Sequence, residues 1–366
     1  MSQLLTLSRA LDNEARPSLE DAPMTAIPDT CREVRLKTRP DGLPSADNFE
    51  IVSVPLPIPA DGEALVRNRY FLVSASLRMM ISKGAEDVEG VPFPALREGE
   101  TLAGEALGEI VTAPAGSGFS PGDWVLHFRG WREYATVPIA QCRPVAPGLP
   151  DPVAYLGHGW TAYAALTRGV QIRAGDTVFI SSAAGAIGSM AGQIARLLGA
   201  DRVIGSTSSK EKAARLVSEL GYDAAVFRGA TPIVEQLLEA APQGIDVFID
   251  NVGGEQLAAA IATARVGARV VILGALSGQL ATRGPGRTAP VELDSIQLLL
   301  KKITLRGYSA DDDPQVHAEW ISQFAEWLKA GSIRFPHQII AGLDDAPHAL
   351  ERVINGEYFG TVVVKP

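Results

Sequence analysis

The pattern of apolar and polar positions changes in character near residue 155. Before it, short stretches of alternating apolar and polar residues lie between frequent Pro/Gly turns, at 31–37, 49–55 and 64–69. This pattern predicts a small β-rich domain. After residue 155, buried apolar runs alternate with amphipathic ones. They predict strands at 246–250 and 268–273, and helices over 189–198, 210–220, 233–240 and 316–330. Such alternation is typical of an α/β fold with a parallel sheet and right-handed crossovers.

The same pattern gives the domain organisation. Residues 1–30 contain three prolines and mixed charges, without the order of a secretion signal, so we expect a mobile N-terminal extension. Residues 31–154 form the β-rich domain and 155–330 the α/β domain. The strand-like pattern returns after Gly331, notably at 358–364. We therefore expect 331–366 to complete the first domain. Residues 281–293, rich in Gly, Pro and Arg, predict a loop.

A tight turn of small residues links the first strand of the α/β domain to its helix. The chain runs Val178-Phe179-Ile180-Ser181-Ser182-Ala183-Ala184-Gly185-Ala186-Ile187-Gly188. Gly185 lets the turn close, and Gly188 lets the helix pack near the strand. The N-terminus of that helix offers backbone N–H groups and a positive dipole end to a pyrophosphate, which predicts a dinucleotide site.

The end of the following strand indicates which dinucleotide. NAD sites usually place a carboxylate about 20 residues after the glycines, where it binds the ribose 2′-hydroxyl. Here that region has the hydroxyl residues Ser206, Thr207, Ser208 and Ser209, followed by the cations Lys210 and Lys212. These groups suit a 2′-phosphate, so we predict NADP(H).

Composition excludes several other classes. Hydrophobic residues make up 46% of the 366 residues and charged residues 20%, as in ordinary globular proteins. The net charge of −9 disfavours nucleic acid or an anionic membrane as a partner, and no apolar run is long enough to span a bilayer. Cys31 and Cys142 give neither a disulfide framework nor metal-ligand spacing. We expect a cytoplasmic protein.

Several segments together resemble the zinc-free medium-chain dehydrogenase/reductases. They include Val54-Pro55-Leu56-Pro57, Gly118-Phe119-Ser120-Pro121-Gly122-Asp123-Trp124-Val125 and Gly130-Trp131-Arg132-Glu133-Tyr134-Ala135. The segments Thr161-Ala162-Tyr163, Ala183–Gly188 and Asp250-Asn251-Val252-Gly253-Gly254 resemble more narrowly the prostaglandin reductase and alkenal double-bond reductase branch. The resemblance implies a Rossmann-type domain with a GroES-like β-barrel substrate domain. It also implies NADPH-dependent reduction of conjugated C=C bonds, often by homodimers.

The resemblance also implies which residues bind the cofactor. Ala184, Gly185, Ile187 and Gly188 would border the pyrophosphate, and Lys212, with Ser208, would meet the 2′-phosphate. Arg228, in place of a family tyrosine, would face the adenosine phosphate. The nicotinamide side would be lined by Asn251, Gly274, Leu276 and Tyr358. Lys212 has the alternative of a solvated helix lysine, and Asn251 that of a helix cap.

Zinc is not expected. Zinc-dependent relatives carry Gly-His-Glu and a four-cysteine lobe, whereas the matching text here is Gly104-Glu105-Ala106-Leu107-Gly108. Two distant cysteines cannot form a tetrahedral structural site. Hydride transfer to an electron-poor C=C needs less help from a Lewis acid than alcohol oxidation does, because charge spreads onto a carbonyl oxygen.

Three segments depart from the family pattern near the expected substrate. Gln279 stands where relatives have a tyrosine, Ser74-Ala75-Ser76-Leu77-Arg78 where they have Asp-Pro-Tyr-Met-Arg, and Tyr358-Phe359-Gly360-Thr361 where they have Asn-x-Gly-Lys. Gln279 can donate a hydrogen bond to an enolate but not a proton. His158, just before Thr161, is the candidate general acid. A packed structural histidine, with solvent as the proton source, is the alternative.

These observations define the functional hypothesis. We expect an NADPH-dependent reductase of a conjugated C=C bond. The altered pocket suggests a bulky polyketide-type enone of secondary metabolism, with reduction coupled to cyclisation. Alternatives are a quinone reductase of the same fold or a cofactor-binding protein with little turnover. We also expect a homodimer, with 268–273 as the edge strand that pairs across subunits.

Overall fold

A computed structural model of the chain describes residues 27–87, 95–145, 148–229, 231–282, 286 and 288–366. The expected N-terminal extension lies outside the described residues up to position 26. The first strand begins at Thr30. The expected loop at 281–293 is described only in part, and its described residues form neither helix nor strand.

The strands of the described chain fall into three sheets. Their bounds are β1 Thr30–Leu36, β2 Phe49–Pro55, β3 Glu63–Leu72, β4 Ala106–Thr112, β5 Trp124–His127, β6 Tyr134–Pro138, β7 Arg143–Pro144, β8 Thr177–Ile180, β9 Arg202–Thr207, β10 Ala224–Phe227, β11 Ile245–Asp250, β12 Ala264–Ile272, β13 Thr304–Gly307, β14 His337–Ala341 and β15 Thr361–Lys365. The first two pair as an antiparallel ribbon.

Six parallel strands form the Rossmann-type sheet in the order β10-β9-β8-β11-β12-β13. Its central strand β8 is buried at all four positions, as expected for a strand covered by helices on both faces. The order in which strands are added to the sheet reverses between β8 and β11: β9 and β10 lie on one side of β8, and β11, β12 and β13 lie on the other. That switch point, at the carboxyl ends of the strands, is where open α/β sheets bind ligands.

Ten α-helices accompany the strands in the described chain. Their bounds are α1 Arg78–Ile81, α2 Gly159–Ala164, α3 Gly188–Leu197, α4 Lys210–Leu220, α5 Ile233–Ala240, α6 Gly254–Thr263, α7 Leu276–Gln279, α8 Ser295–Leu300, α9 Pro314–Lys329 and α10 Ala346–Ile354. Helix α2 continues into a π-type turn over Ala165–Gly169. Over the described residues, no helix combines the length and the apolar character that a bilayer crossing requires.

Where the predicted bounds of an element match the structure, the local sequence explains where that element begins and ends. Helix α4 starts at Ser209, whose hydroxyl accepts a hydrogen bond from the Lys212 N–H, and ends at Gly221 in the left-handed conformation. The predicted bounds of α4, α5 and β2 are confirmed. Other bounds shift by a few residues, as for α9 and β12.

Two strand predictions were wrong in an informative way. The segment at 268–273 is not an edge strand: β12 pairs with β11 on one side and β13 on the other. The edge on that side of the sheet is β13, a short strand that hydrophobic periodicity did not reveal, and β10 forms the other edge. The last strand begins at Thr361, not at Tyr358, because Gly360 has a φ of +83° that breaks the extended conformation.

The third sheet joins the two ends of the described chain. Its order is β14-β15-β3-β4-β5-β7, with β6 also paired to β3. Strand β15 runs antiparallel to β3, so the C-terminal segment shares a sheet with N-terminal strands. A hydrophobic core spans both halves: Leu72, Leu107 and Leu126 pack in one cluster with Met190 and Trp320. This cluster therefore packs the two sheets against each other.

Candidate active site

The small-residue turn after β8 is closely packed. Ser182 adopts a φ of +52°, a left-handed conformation uncommon outside glycine. A Cβ at Gly188 would approach the Ala183 Cα to 2.5 Å and overlap the Ser182 carbonyl oxygen. The Ala183 N–H donates to the Ser206 carbonyl at 2.7 Å, which ties the turn to β9. The turn therefore requires small residues for its own packing.

The turn also presents backbone donors. Gly185 N–H bonds the Ser182 carbonyl and Ser189 N–H bonds the Gly185 carbonyl. Within the described chain, the N–H groups of Ala186, Ile187 and Gly188 have no acceptor. They stand at the N-terminus of α3, where a helix leaves its donors free and its dipole is positive. This arrangement fits a pyrophosphate.

The first turn of α4, which follows β9, places Lys212 toward the C-terminal segment. Its ammonium group donates to the carbonyl oxygens of Gly356 and Tyr358, the latter at 2.7 Å. Burial lowers the pKa of Lys212 from its ordinary value. Ser208 is exposed and faces Gly356, whose added Cβ would lie 3.9 Å from its Oγ. The structure thus brings Ser208, Lys212 and Tyr358 together.

Arg228 takes a different position. It is exposed and follows β10, whose last residue Phe227 is opposite Thr207 of β9. The residue therefore stands at the same end of the sheet as Ser208. No described contact ties its side chain to the other predicted site residues.

The C-terminal segment before β15 closes one side of the cleft. Gly360 N–H donates to the Ala184 carbonyl at 2.9 Å, and Gly360 bridges to Gly185. The ring of Phe359 lies under the Arg215 guanidinium at 4.0 Å. Together with the Lys212 bonds, these contacts tie α3 and α4 of the Rossmann-type half to the other sheet. Sequence reasoning missed Phe359 and Gly360 as junction residues, because these partners are distant in the chain.

The end of β11 carries a buried polar pair. Asp250 Oδ1 accepts from the Ser181 hydroxyl, Val252 N–H and Gly253 N–H, each at 2.9 Å. Asn251 donates through Nδ2 to the Ser181 carbonyl at 2.8 Å. Asn251 Oδ1 and Asp250 Oδ2 are buried without partners in the described chain. Asp250, not Asn251, binds the N–H groups before α6, so Asn251 is not the helix cap.

The loop after β12 lies against Asn251. Leu276 N–H donates to the Asn251 carbonyl at 3.1 Å, and a Cβ at Gly274 would lie 3.1 Å from the same oxygen. Gln279 follows in α7, and its carbonyl accepts from the Arg78 guanidinium of α1. Its side-chain amide is 3.5 Å from Met79 Sδ. Gln279 therefore lies where the two halves meet, with Gly274, Leu276 and Asn251 on one side of it.

His158 immediately precedes α2, and the glycines on either side of it pack against aromatic residues. A Cβ at Gly157 would meet Phe335, and one at Gly159 would overlap Trp320. Burial lowers the pKa of His158 from its ordinary value, while Glu105 and Asp311 oppose the shift. The imidazole is therefore mainly neutral near pH 7. That protonation state weighs against His158 as a general acid.

The described residues offer no evident metal-binding site. Over the described residues, no three His, Cys, Asp or Glu side chains cluster as metal ligands would. Cys31 and Cys142 are free and buried, and they lie in different hydrophobic clusters. Glu105 instead binds Arg143 at 2.8 Å.

Comparison with known proteins identifies the family. The family model for the N-terminal domain of oxidoreductase matches residues 32–145, and that for zinc-binding dehydrogenase matches 186–329. A putative NADP-dependent oxidoreductase, YfmJ of Bacillus subtilis, is 33% identical over 91% of this chain and 97% of its own. The fold and site define a medium-chain dehydrogenase/reductase. More narrowly, the chain belongs to the zinc-free branch of that superfamily.

Further relatives fall in the predicted branch. The NADPH-dependent curcumin reductase of Escherichia coli is 29% identical over 90% of this chain and 95% of its own. Prostaglandin reductase 1 of Bos taurus is 30% identical over 88% and 95%. The crystal structure of CurA from Vibrio vulnificus with NADPH has a TM-score of 0.81 at 31% identity, covering 91% of this chain and 98% of that one. The predicted family, fold and enzyme class are confirmed, and NADP(H) is confirmed as the cofactor of the family.

Proposed function

We propose that the protein is an NADPH-dependent reductase of the C=C bond in α,β-unsaturated carbonyl compounds. The observation that carries this proposal is the row of N–H groups at Ala186, Ile187 and Gly188, which have no acceptor within the described residues, together with Lys212 in the first turn of α4. Curcumin and prostaglandin reductases among the relatives support the substrate class.

Different residues of the candidate site would bind different parts of NADPH. The α3 N-terminus, with Ala184 and Gly185 beside it, would hold the pyrophosphate. Lys212 has three ammonium hydrogens and gives two to carbonyl oxygens, so one remains for the 2′-phosphate beside Ser208. The exposed guanidinium of Arg228 would add charge at the adenosine end. Asn251 Oδ1, buried without a described partner, would accept from the nicotinamide amide near Gly274 and Leu276. The expected place of Tyr358 at the nicotinamide is wrong, because its carbonyl binds Lys212 at the 2′-phosphate end.

NADPH, when bound, supplies a hydride from C4 of its nicotinamide. The chain must then stabilise the enolate that forms at the carbonyl oxygen and allow its protonation. We propose that the Gln279 amide donates a hydrogen bond to that oxygen. Since the lowered pKa keeps His158 neutral, we propose that His158 orients substrate or water and that solvent supplies the proton.

We propose a bulky polyketide-type enone whose reduction is coupled to cyclisation. Its support is that Ser74 and Ser76, beside Arg78, and Gln279 have smaller side chains than the residues at the matching positions of the family pattern. Product analysis after reduction of a tethered bis-enone tests it: an acyclic product alone contradicts the coupling.

The function is tested with NADPH deuterated at nicotinamide C4. Turnover of a conjugated enone should place deuterium on the β-carbon and leave the carbonyl intact. A quinone reductase would consume NADPH with quinones and with no enone. A protein that only binds the cofactor would give tight NADPH binding and no turnover on either class. Each of these two outcomes contradicts the proposed function.

We also propose a homodimer formed along β13. All four residues of this edge strand are exposed, and their outer hydrogen-bonding groups have no strand partner in the described chain. Exposed aliphatic side chains surround it, namely Val266, Ile296, Leu299, Leu300 and Leu305. An exposed edge with an apolar border invites pairing with another strand, and a second copy supplies one by symmetry.

Two broader assignments complete the proposal. We assign 31–154 with 331–366 to the substrate domain and 155–330 to the NADP(H) domain, supported by the pairing of β15 with β3. We propose a cytoplasmic location, supported by two free, buried cysteines that suit a reducing compartment.

A further inference from the structure

A basic cavity lies on the Rossmann-type half, apart from the candidate active site. It has a volume of about 440 Å³ and is bordered by the π-type turn after α2 and by β12 and β13. Its lining residues 171 and 173 precede β8, and 302 precedes β13. The cavity therefore opens nearer the amino ends of the parallel strands, whereas the candidate cofactor residues stand at the carboxyl ends. The cavity and the candidate cofactor site therefore lie toward opposite ends of the parallel strands.

Five cationic side chains line this cavity, and no acidic residue is among its described lining: Arg168, Arg173, Arg269, Lys302 and Arg306. Two of the five have carboxylate partners. Arg168 pairs with Glu319 at 2.6 Å, and Arg269 with Asp176 at 2.6 Å. The other three have no ion pair within the described chain. Such a concentration of positive charge is notable in a protein of net charge −9.

Arg269 contributes positive charge to the wall of the cavity. Its side chain is 12% exposed, and Nη1 donates to the Gln171 carbonyl at 3.1 Å. Its Nε is buried without a hydrogen-bond partner in the described chain, so an anion in the cavity cannot reach that atom. The donors open to an anion are therefore those of Arg173, Lys302 and Arg306, all three exposed.

The backbone around the cavity is also unusual. Gln171 and Lys302 both have a φ of +53°, and only two other non-glycine residues of the described chain have positive φ. One of those, Ser182, lies in the glycine turn. Left-handed non-glycine residues cost free energy and tend to cluster where a ligand is held.

We propose that this cavity binds a small phosphate-bearing anion. Guanidinium groups bind phosphate oxygens in pairs and a lysine adds a compact positive charge, which is the donor set found here. The volume is in the range of small-molecule pockets and exceeds the need of a single chloride. Arg306 lies 5.4 Å from the Tyr308 ring, which holds its charge beside the cavity.

The test uses the full chain saturated with NADP⁺, so that the cofactor cleft is filled. Pyrophosphate is titrated calorimetrically at low salt, with succinate as a carboxylate comparison. We expect one saturable pyrophosphate site, weakened about tenfold by Lys302→Gln or Arg306→Gln, since each removes a charge-assisted bond. Both residues are exposed, so the variants should keep their melting temperature. Arg352→Gln, an exposed cation on α10, is the matched control and should bind as the wild type does.

Three results would overturn the anion site. The first is weak, non-saturable binding shared by all variants. The second is succinate binding as tightly as pyrophosphate. The third is a change of subunit association in Lys302→Gln and Arg306→Gln with pyrophosphate binding unaltered, which would mean that carboxylates of a second copy fill the cavity. None of these results bears on NADPH turnover, so the proposed reductase activity is judged separately.

Discussion

Lys212 shows how one side chain can serve both a ligand and the fold. Its ammonium group binds carbonyl oxygens of Gly356 and Tyr358, yet it stands where the sequence predicts a 2′-phosphate contact. The run of hydroxyls and cations after β9 was enough to predict this position. The carbonyl partners could not be predicted, because they lie more than 140 residues further along the chain.

Replacing Lys212 separates these two roles. Lys212→Met should raise the KM for NADPH about tenfold or more, because a charge-assisted bond to the 2′-phosphate is lost. NADH lacks that phosphate, so its KM should change little. Steady-state kinetics with both cofactors measures the difference, with Lys329→Met as a control on α9. An equal loss with both cofactors would mean that Lys212 acts only by holding the C-terminal segment.

His127 makes stability depend on pH. It is 2% exposed, accepts a hydrogen bond from Arg129 N–H at 3.1 Å, and its Nε2 has no described partner. Burial, with help from nearby arginines, lowers its pKa from 6.5 to about 3. Between these values the unfolded chain binds the proton more readily than the folded one. The contribution of His127 is therefore present above pH 6.5 and is lost as the pH falls toward 3.

Urea unfolding measures this effect. Between about pH 7.5 and about pH 5.5, His127 alone should remove about 1.4 kcal/mol from the free energy of unfolding. His127→Gln should flatten that dependence, although it lowers stability overall. His348→Gln, at an exposed position on α10, should leave the dependence intact. An unchanged slope in His127→Gln contradicts the assignment.

At the scale of elements, helices and strands with strong local signals were predictable. Ser209 and Gly221 define α4, and four consecutive buried residues define β8. The sequence was least informative for β13, whose Thr304–Gly307 carries no apolar alternation and is fixed by pairing with β12. The junction of the glycine turn with Gly360 was equally hidden, since it depends on a tertiary contact.

Two glycines test that junction. Gly360 and Gly342 have nearly the same φ, +83° and +84°, but a Cβ at Gly360 would overlap the Pro336 carbonyl while one at Gly342 meets nothing within 4 Å. Gly342→Ala should cost about 1–3 kcal/mol of stability from backbone strain alone, because φ +84° with ψ 149° is a conformation that only glycine adopts readily. Gly360→Ala should cost about 2 kcal/mol more, from overpacking, and should also weaken NADPH binding. Unfolding and fluorescence titrations compare the two. Equal losses would show that the close approach at Gly360 is unimportant.

At the scale of the molecule, the cofactor cleft depends on contacts between the two sheets. Gln279 and Arg78 meet across this boundary, as do Ala184 and Gly360. The family resemblance predicted the two-domain fold, because its motifs recur along most of the chain. It could not specify the substrate pocket, where side chains from both halves meet and where this chain departs from the family.

The proposed dimer along β13 can be tested by substituting an exposed leucine near that strand. Leu299 is 75% exposed beside that edge, while Leu238, on α5 and 54% exposed, lies elsewhere on the surface. In a dimer that buries the β13 border, Leu299→Glu would place a charge in an apolar contact that otherwise stabilises association by about 1.5–3 kcal/mol. Light scattering should therefore show a dimer for the wild type and for Leu238→Glu, and a monomer for Leu299→Glu. A monomeric wild type, or a dimer that survives Leu299→Glu unchanged, would remove β13 as the interface.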